Sequence, residues 1–232
     1  GPNSMDPPLS HIPAPLTGQL TVHRGISPVS SGIESFGGSM HAESKKGRFA
    51  EGDKIETNGT ASMGYGSVDD GHFGALLGSV ANQNHKLYLS GSKEQGRDYK
   101  TKNNQKQNNT RYDREAFTAG YGYRREGHEF GINYSNNNTG HTGSPALPMD
   151  INYVKGGLYD ANYNWDLGDG YQLKSNIFYQ KMRHFMSNTV MRSGGTAMMD
   201  AMNNRTEVEA GGIKVKVLGD DSTDFKFKIK QK

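Results

Sequence analysis

From about residue 55 onward, apolar and polar residues alternate along most of the chain. Between residues 171 and 180 the odd positions are mainly apolar and the even positions mainly polar. Successive side chains of a β-strand point to opposite faces, so a period of two indicates strands whose faces meet different surroundings. The alternation recurs in four further segments, which are 117–124, 157–167, 213–217 and 225–229. It therefore predicts an all-β fold.

Short polar turns and long polar gaps separate these segments. The short turns contain glycine, as tight hairpins require, and they are 125–127, 168–170 and 219–221. The long gaps are rich in Asn, Gly, Ser or Lys, and they are 93–111, 136–152 and 187–205. Antiparallel strands of about ten residues, with tight turns at one end and long loops at the other, are typical of a transmembrane β-barrel. We count eight or nine strands. The pattern alone leaves a soluble β-sandwich or a glycine-rich solenoid as the alternative.

The composition excludes several classes of protein. The 232-residue chain has no cysteine, so it cannot hold a disulfide framework, a zinc-thiolate site or a thiol nucleophile. No apolar run approaches the roughly 20 residues of a membrane-spanning helix. The net charge of +3 is small and basic residues are interspersed with acidic ones, which argues against a nucleic-acid partner. We find no supported carboxylate pair, nucleophile elbow or phosphate loop, so we expect no enzymatic activity.

Residues 1–50 differ from the rest of the chain. Proline occurs six times in this segment, at positions 2, 7, 8, 13, 15 and 28. Proline disfavours long strands and helices, so we expect short strands and turns here. The composition changes near Lys45-Lys46-Gly47-Arg48. The sequence therefore predicts two domains, 1–50 and 51–232.

One part of the first domain resembles a known family. Residues 20–29, together with Gly32 and the run Phe36-Gly37-Gly38-Ser39-Met40, resemble the closing segment of the plug domain of TonB-dependent outer-membrane receptors. Glycines at 25, 37 and 38 permit backbone conformations or close approaches that a Cβ would prevent. The resemblance implies that 1–50 is the C-terminal part of a plug. It implies that 51–232 is the N-terminal part of a barrel, which in this family has about 22 strands.

Two methionine-bearing segments resemble the metal-binding motifs of the copper-receptor branch of this family. Met5 precedes Asp6-Pro7-Pro8 as in the plug motif, and residues 182–186, Met-Arg-His-Phe-Met, resemble the barrel motif Met-x-His-x-Met. The cysteine of the plug motif falls at Gly1. Either the site uses only thioether and imidazole ligands, or Gly1 is a boundary artefact. The resemblance implies four copper ligands, which are Met5, Met182, His184 and Met186.

The geometry of the barrel motif follows from strand structure without the family. Residues i, i+2 and i+4 of a strand share one face at about 6.6 Å per step, so Met182, His184 and Met186 line up. They fall on the same side as Gln180, which in a barrel is the polar lumen. Thioether sulfur and imidazole nitrogen favour Cu(I) over Mg²⁺ or Ca²⁺. The alternative is that these methionines are apolar packing. The segment that follows adds Met191, Met198, Met199 and Met202.

The resemblance implies a receptor for copper uptake in the outer membrane of a Gram-negative bacterium. The family resemblance implies that copper is captured between plug and barrel, and that an inner-membrane TonB energy-coupling complex then drives plug rearrangement. Outer-membrane lipid would surround the barrel. Two alternatives remain: a small outer-membrane barrel or adhesin with a methionine-rich partner-binding loop, and a soluble secreted glycan-binding β-protein.

Overall fold

The computed structural model describes residues 13–26, 37–192 and 201–219, together with the backbone of a short strand at 225–228. Within these residues the one helix is a 3₁₀ turn at Ala14–Leu16. None of the described helical structure has the length and hydrophobicity needed to cross a membrane.

A small antiparallel sheet precedes the main one. It consists of β1 (Thr17–His23) and β2 (Ser39–Ser44). Gly25 and Gly38 both have positive φ angles, and a Cβ on Gly38 would overlap the carbonyl oxygen of His23. Glycine is therefore required at position 38 for the chain to enter β2 beside the end of β1.

Nine antiparallel strands form the main sheet, and each pairs with its neighbour in sequence. They are β3 (Glu56–Gly66), β4 (Gly71–Ala81), β5 (His85–Gly96), β6 (Tyr112–Arg125), β7 (His128–Thr139), β8 (Asp150–Gly168), β9 (Tyr171–Ser187), β10 (Asn203–Leu218) and β11 (Phe225–Lys228). In the described part of the chain, β3 and β11 are the edges and do not pair with each other. The fold is the predicted one, an open portion of an antiparallel barrel wall.

The last long strands extend further than the sequence pattern predicts. β8, β9 and β10 contain 19, 17 and 16 residues, whereas about ten span a membrane. The expected loops 136–152 and 187–205 are shorter than predicted, because pairing continues to Thr139 with Val154 and to Ser187 with Asn203. Asn and Thr occupy both faces at the end of β7, so the alternation disappears although the backbone stays paired.

The main sheet has an apolar outer face and a largely polar inner face. On the outer face Tyr159, Ile177 and Ile213 expose 56%, 54% and 47% of their surface. The inner face borders a cavity of about 870 Å³ whose walls include Asp160 and Gln180, and β2 contributes to the same cavity. This is the arrangement of a barrel wall that faces lipid on one side and a lumen on the other.

Residues 45–55 connect the two sheets and are held at the short-turn end. The Phe49 ring lies between two cations, with Lys86 Nζ 4.1 Å and the Arg124 guanidinium 4.5 Å from its centroid. Arg124 also donates a 3.0 Å hydrogen bond to the carbonyl oxygen of Ala50. These contacts fix the connector to β5 and β6. The proposed division between residues 50 and 51 lies within this connector and stays a prediction.

Gly120 of β6 makes room for a buried tyrosine on the inner face. A Cβ at position 120 would overlap the ring of Tyr88, which is 1% exposed and donates a hydrogen bond to Asn133. Gly120 and Gly122 both lie inside β6. They are strand glycines rather than part of a nucleotide-binding loop.

We expect Gly120→Val to lower the free energy of unfolding by roughly 1–3 kcal/mol, the usual cost of overpacking a well-filled site. Gly78→Val is the matched control, because a Cβ on Gly78 of β4 would meet no atom within 4 Å. The measurement is the thermal unfolding midpoint of each variant in detergent. Equal midpoints for the two variants would contradict the close packing of Tyr88 against Gly120.

The long loop between β5 and β6 is organised by a buried carboxylate. Asp98 is 8% exposed, and its Oδ1 accepts hydrogen bonds from the backbone nitrogens of Thr110 (2.9 Å) and Arg111 (3.0 Å). Its Oδ2 lies 3.4 Å from Lys106 Nζ. Burial alone would raise the pKa of Asp98, but these hydrogen bonds and the nearby cations outweigh it and hold the pKa below its usual value.

A lowered folded-state pKa means that ionised Asp98 stabilises the loop at pH values above the ordinary Asp pKa of about 3.9. This stabilisation should disappear as the pH falls through the lowered pKa of the folded state. We expect the Thr110 and Arg111 amides to lose protection from hydrogen exchange as the pH falls through and below the ordinary Asp pKa of about 3.9. In Asp98→Asn the protection should change little over the same fall in pH, and an identical pH dependence in the two proteins would contradict the assignment.

Candidate metal centre

The half of β9 that lies nearest the long loops places three predicted ligands on one face. β9 runs without a bulge through residues 182–186 and pairs with β10 throughout, so Met182, His184 and Met186 point to the same side. Met182 borders the inner cavity together with Gln180. The face is therefore the inner one, as the sequence pattern predicts.

Met182, His184 and Met186 form a column along the inner face of β9, and the surroundings of this column are less polar than expected. Met186 is 1% exposed and forms an apolar cluster with Met149, Ile151 and Val154, against which Met182 packs. Ile151 and Val154 are the β8 partners of Met186 and His184. The sequence pattern predicts a polar lumen around the whole motif, whereas in the structure the inner face changes from polar to apolar along β9 between Gln180 and Met186.

The other predicted methionines are distributed unevenly. Met5, Met198 and Met199 lie outside the described residues. Met191 is half-buried beyond the end of β9, and Met202 is 37% exposed just before β10. The Met202 backbone nitrogen donates a 2.8 Å hydrogen bond to Asn188 Oδ1, which ties the two ends of this loop together.

Met149 was not identified from the sequence. It is 6% exposed and lies in the β7–β8 loop, immediately before β8, where it packs in the same cluster as Met186. It belongs to no spaced motif, so only the pairing of β8 with β9 brings it to the column. The structure thus adds a third thioether to those of Met182 and Met186.

A buried ion pair braces the loops around the column. Asp150 is fully buried, and Arg192 donates to both of its carboxylate oxygens at 2.9 Å. Arg192 also donates to the carbonyl oxygens of Ser144 (3.1 Å) and Leu147 (2.7 Å). The guanidinium therefore joins the β7–β8 loop to the segment that follows β9, at the end of the sheet where Met149 and Met186 lie.

Below the column the inner face carries a hydrogen-bonded polar chain. Asn133 of β7 donates a 2.9 Å hydrogen bond to Asp160 of β8, and Asn176 of β9 donates to the other carboxylate oxygen. Tyr88 of β5 donates to Asn133. In the described residues no three His, Asp or Glu side chains converge as metal ligands.

The fold is similar to that of a copper transporter. A solved structure of the copper transporter OprC superposes with a TM-score of 0.81 at 19% sequence identity, over 92% of this chain. This chain spans 33% of the length of that protein's chain. At this level of identity the likeness establishes the fold. No family model and no curated protein matches the sequence.

The donor set of the column decides which metal suits it. It offers one imidazole, from His184, and neutral thioether sulfurs from Met182, Met186 and the adjacent Met149. Thioethers are soft ligands that suit Cu(I), and hard cations such as Mg²⁺ and Ca²⁺ prefer oxygen. The apolar cluster around Met186 limits access of water to this end of the column, which also suits a soft, weakly hydrated cation.

Proposed function

We propose that this chain is part of a TonB-dependent outer-membrane receptor for copper uptake, which binds Cu(I) through Met5, Met182, His184 and Met186 between plug and barrel. One observation carries the proposal. An imidazole flanked by two thioethers lies on the inner face of a sheet whose fold is similar to that of a copper transporter.

The placement of the column supports capture from outside the cell. Met186 lies at the end of the sheet that bears the long loops, and in transmembrane barrels the longer loops are extracellular. β2 borders the inner cavity, as expected for the end of a plug. In this proposal copper binds where the plug segment meets β9, and an inner-membrane TonB energy-coupling complex later moves the plug. Lipid contacts the outer face.

Cu(I) binding to the detergent-solubilised protein under reducing conditions tests the site. A variant with both His184→Ala and Met186→Leu should lose high-affinity binding. Met63→Leu is the matched control, because Met63 of β3 is 84% exposed and far along the sheet from β9. Wild-type affinity in the double variant would refute the proposed ligands, and the methionines would then be packing residues of the apolar cluster.

A further inference from the structure

The outer face of β8, β9 and β10 changes abruptly from apolar to charged. On β8 the outward-facing residues from Leu167 to Tyr159 are aromatic or aliphatic, and they cover roughly 27 Å along the strand. This stretch of nine residues has the length with which a tilted strand crosses the hydrocarbon core, about 9–11 residues. Tyr159 and Tyr179 form its upper row, with ring centroids 6.5 Å apart.

Two rows of charged residues follow directly above these tyrosines, on the side of the long loops. In the first row Lys181 lies opposite Glu209, and in the second Arg183 lies between Lys155 and Glu207. Lys181 Nζ is 2.7 Å from Glu207 Oε1, and Arg183 Nε is 3.3 Å from the same oxygen. The Lys181 and Arg183 side chains remain 41% and 61% exposed.

A third row, formed by Tyr153, Phe185 and Arg205, adds one further cation, and its tyrosine ring also lies near Lys155 of the second row. The rings of Tyr153 and Phe185 are 5.7 Å apart. The Arg205 guanidinium lies 4.7 Å from the Phe185 centroid, and Lys155 Nζ lies 5.7 Å from the Tyr153 centroid. Among the described residues neither Lys155 nor Arg205 forms an ion pair with a carboxylate. The three rows thus contain four cations and two carboxylates, a net positive surface at the upper edge of the apolar band.

We propose that this outer charged patch, formed by residues 153, 155, 181, 183, 185, 205, 207 and 209, binds phosphate-bearing lipid headgroups of net negative charge in the outer leaflet. The proposal rests on the membrane placement in the proposed function and is independent of copper. Glu207 and Glu209 hold Lys181 and Arg183 in position. An ammonium has three N–H donors and a guanidinium has five, so several donors that do not bind the glutamates remain for phosphate oxygens. The acyl chains of the same lipid lie against the apolar band below.

Native mass spectrometry of the detergent-solubilised protein with added lipid tests the patch. The probe is phosphatidic acid in mixed micelles, and phosphatidylcholine is the comparison lipid. Each cation near an anionic membrane surface strengthens binding roughly fivefold, so Lys155→Gln with Arg205→Gln should weaken retention of phosphatidic acid by roughly 10- to 30-fold. The matched control is Lys93→Gln with Arg97→Gln, which removes two exposed cations elsewhere at the loop end of the sheet.

Selective retention of phosphatidic acid that is lost in the patch variant and kept in the control supports the proposal. Equal loss in the two variants, or equal retention of phosphatidylcholine by the wild-type protein, overturns it. Displacement of phosphatidic acid by an equal concentration of inorganic phosphate also overturns it, because the patch would then be a site for the free ion. Cu(I) binding is measured on the same preparations and should be unchanged in the patch variant. A protein that retains the lipid but binds no copper would refute only the copper site.

Discussion

Replacement of His184 by alanine should cause the largest loss of copper affinity of any single change in the proposed site. His184 supplies the one nitrogen ligand of the column, and it lies between two methionines on the same face of β9. Changing a residue that only supports a metal ligand typically costs 10- to 100-fold in affinity. Loss of a direct ligand should therefore cost on the order of 100-fold or more. The measurement is competition with a Cu(I) chelator under reducing conditions.

Methionine-to-leucine variants separate ligation from packing, because leucine retains nearly the volume of methionine but has no sulfur. We expect Met186→Leu to rank next after His184→Ala, and Met5→Leu to weaken binding from the plug side. Met182→Leu should cost less, because His184 and Met186 are the principal pair of ligands in the proposed site. Met63→Leu should bind copper as the wild-type protein does. Unchanged affinity in both His184→Ala and Met186→Leu would show that the column does not bind copper.

The sequence predicted the strands and their two faces because side-chain direction in a strand has a period of exactly two residues. Once the odd positions of β9 were identified as apolar, residues 182, 184 and 186 had to share the opposite face. The structure bears this out, with Ile177 and Tyr179 exposed on the outer face and Met182 beside the inner cavity. The tight turn at Glu126-Gly127 also follows from sequence, and both residues have positive φ angles.

The surroundings of the candidate site could not be predicted in the same way. The polar side chains at even positions of β9 end at Gln180. Beyond that point the polarity of the inner face depends on the side chains of β8 that pack beside β9. A register shift between Ile151 and Tyr153 places Ile151 against Met186 and Val154 against His184. A bulge of this kind has no signature in the alternation. Met149 was missed for a related reason. It lies in a loop outside every periodic segment, and only the pairing of β8 with β9 brings it to the cluster.

The ion pair between Asp150 and Arg192 could not be predicted from the sequence either, because its side chains are 42 residues apart, one at the start of β8 and the other in the segment after β9. Its removal should strongly destabilise the end of the sheet that bears the long loops. Arg192→Met would leave a carboxylate with 0% exposure without its cation. Breaking a buried ion pair by removing one partner typically costs about 3–5 kcal/mol. The variant also loses the hydrogen bonds to Ser144 and Leu147.

Arg97→Met is the matched control, because Arg97 pairs with Asp70 at 3.7 Å with both side chains mostly exposed. Exposed pairs contribute about 0–1 kcal/mol, so this variant should unfold in detergent at nearly the wild-type temperature. Combining Arg192→Met with Asp150→Asn should recover part of the loss, because the uncompensated charge is gone while the amide oxygen can still accept from the Ser144 nitrogen. If Arg192→Met lowered the unfolding midpoint no more than Arg97→Met, the loops would be held by their backbone pairing. The position of Met186, at the loop end of the column, would then not depend on this ion pair.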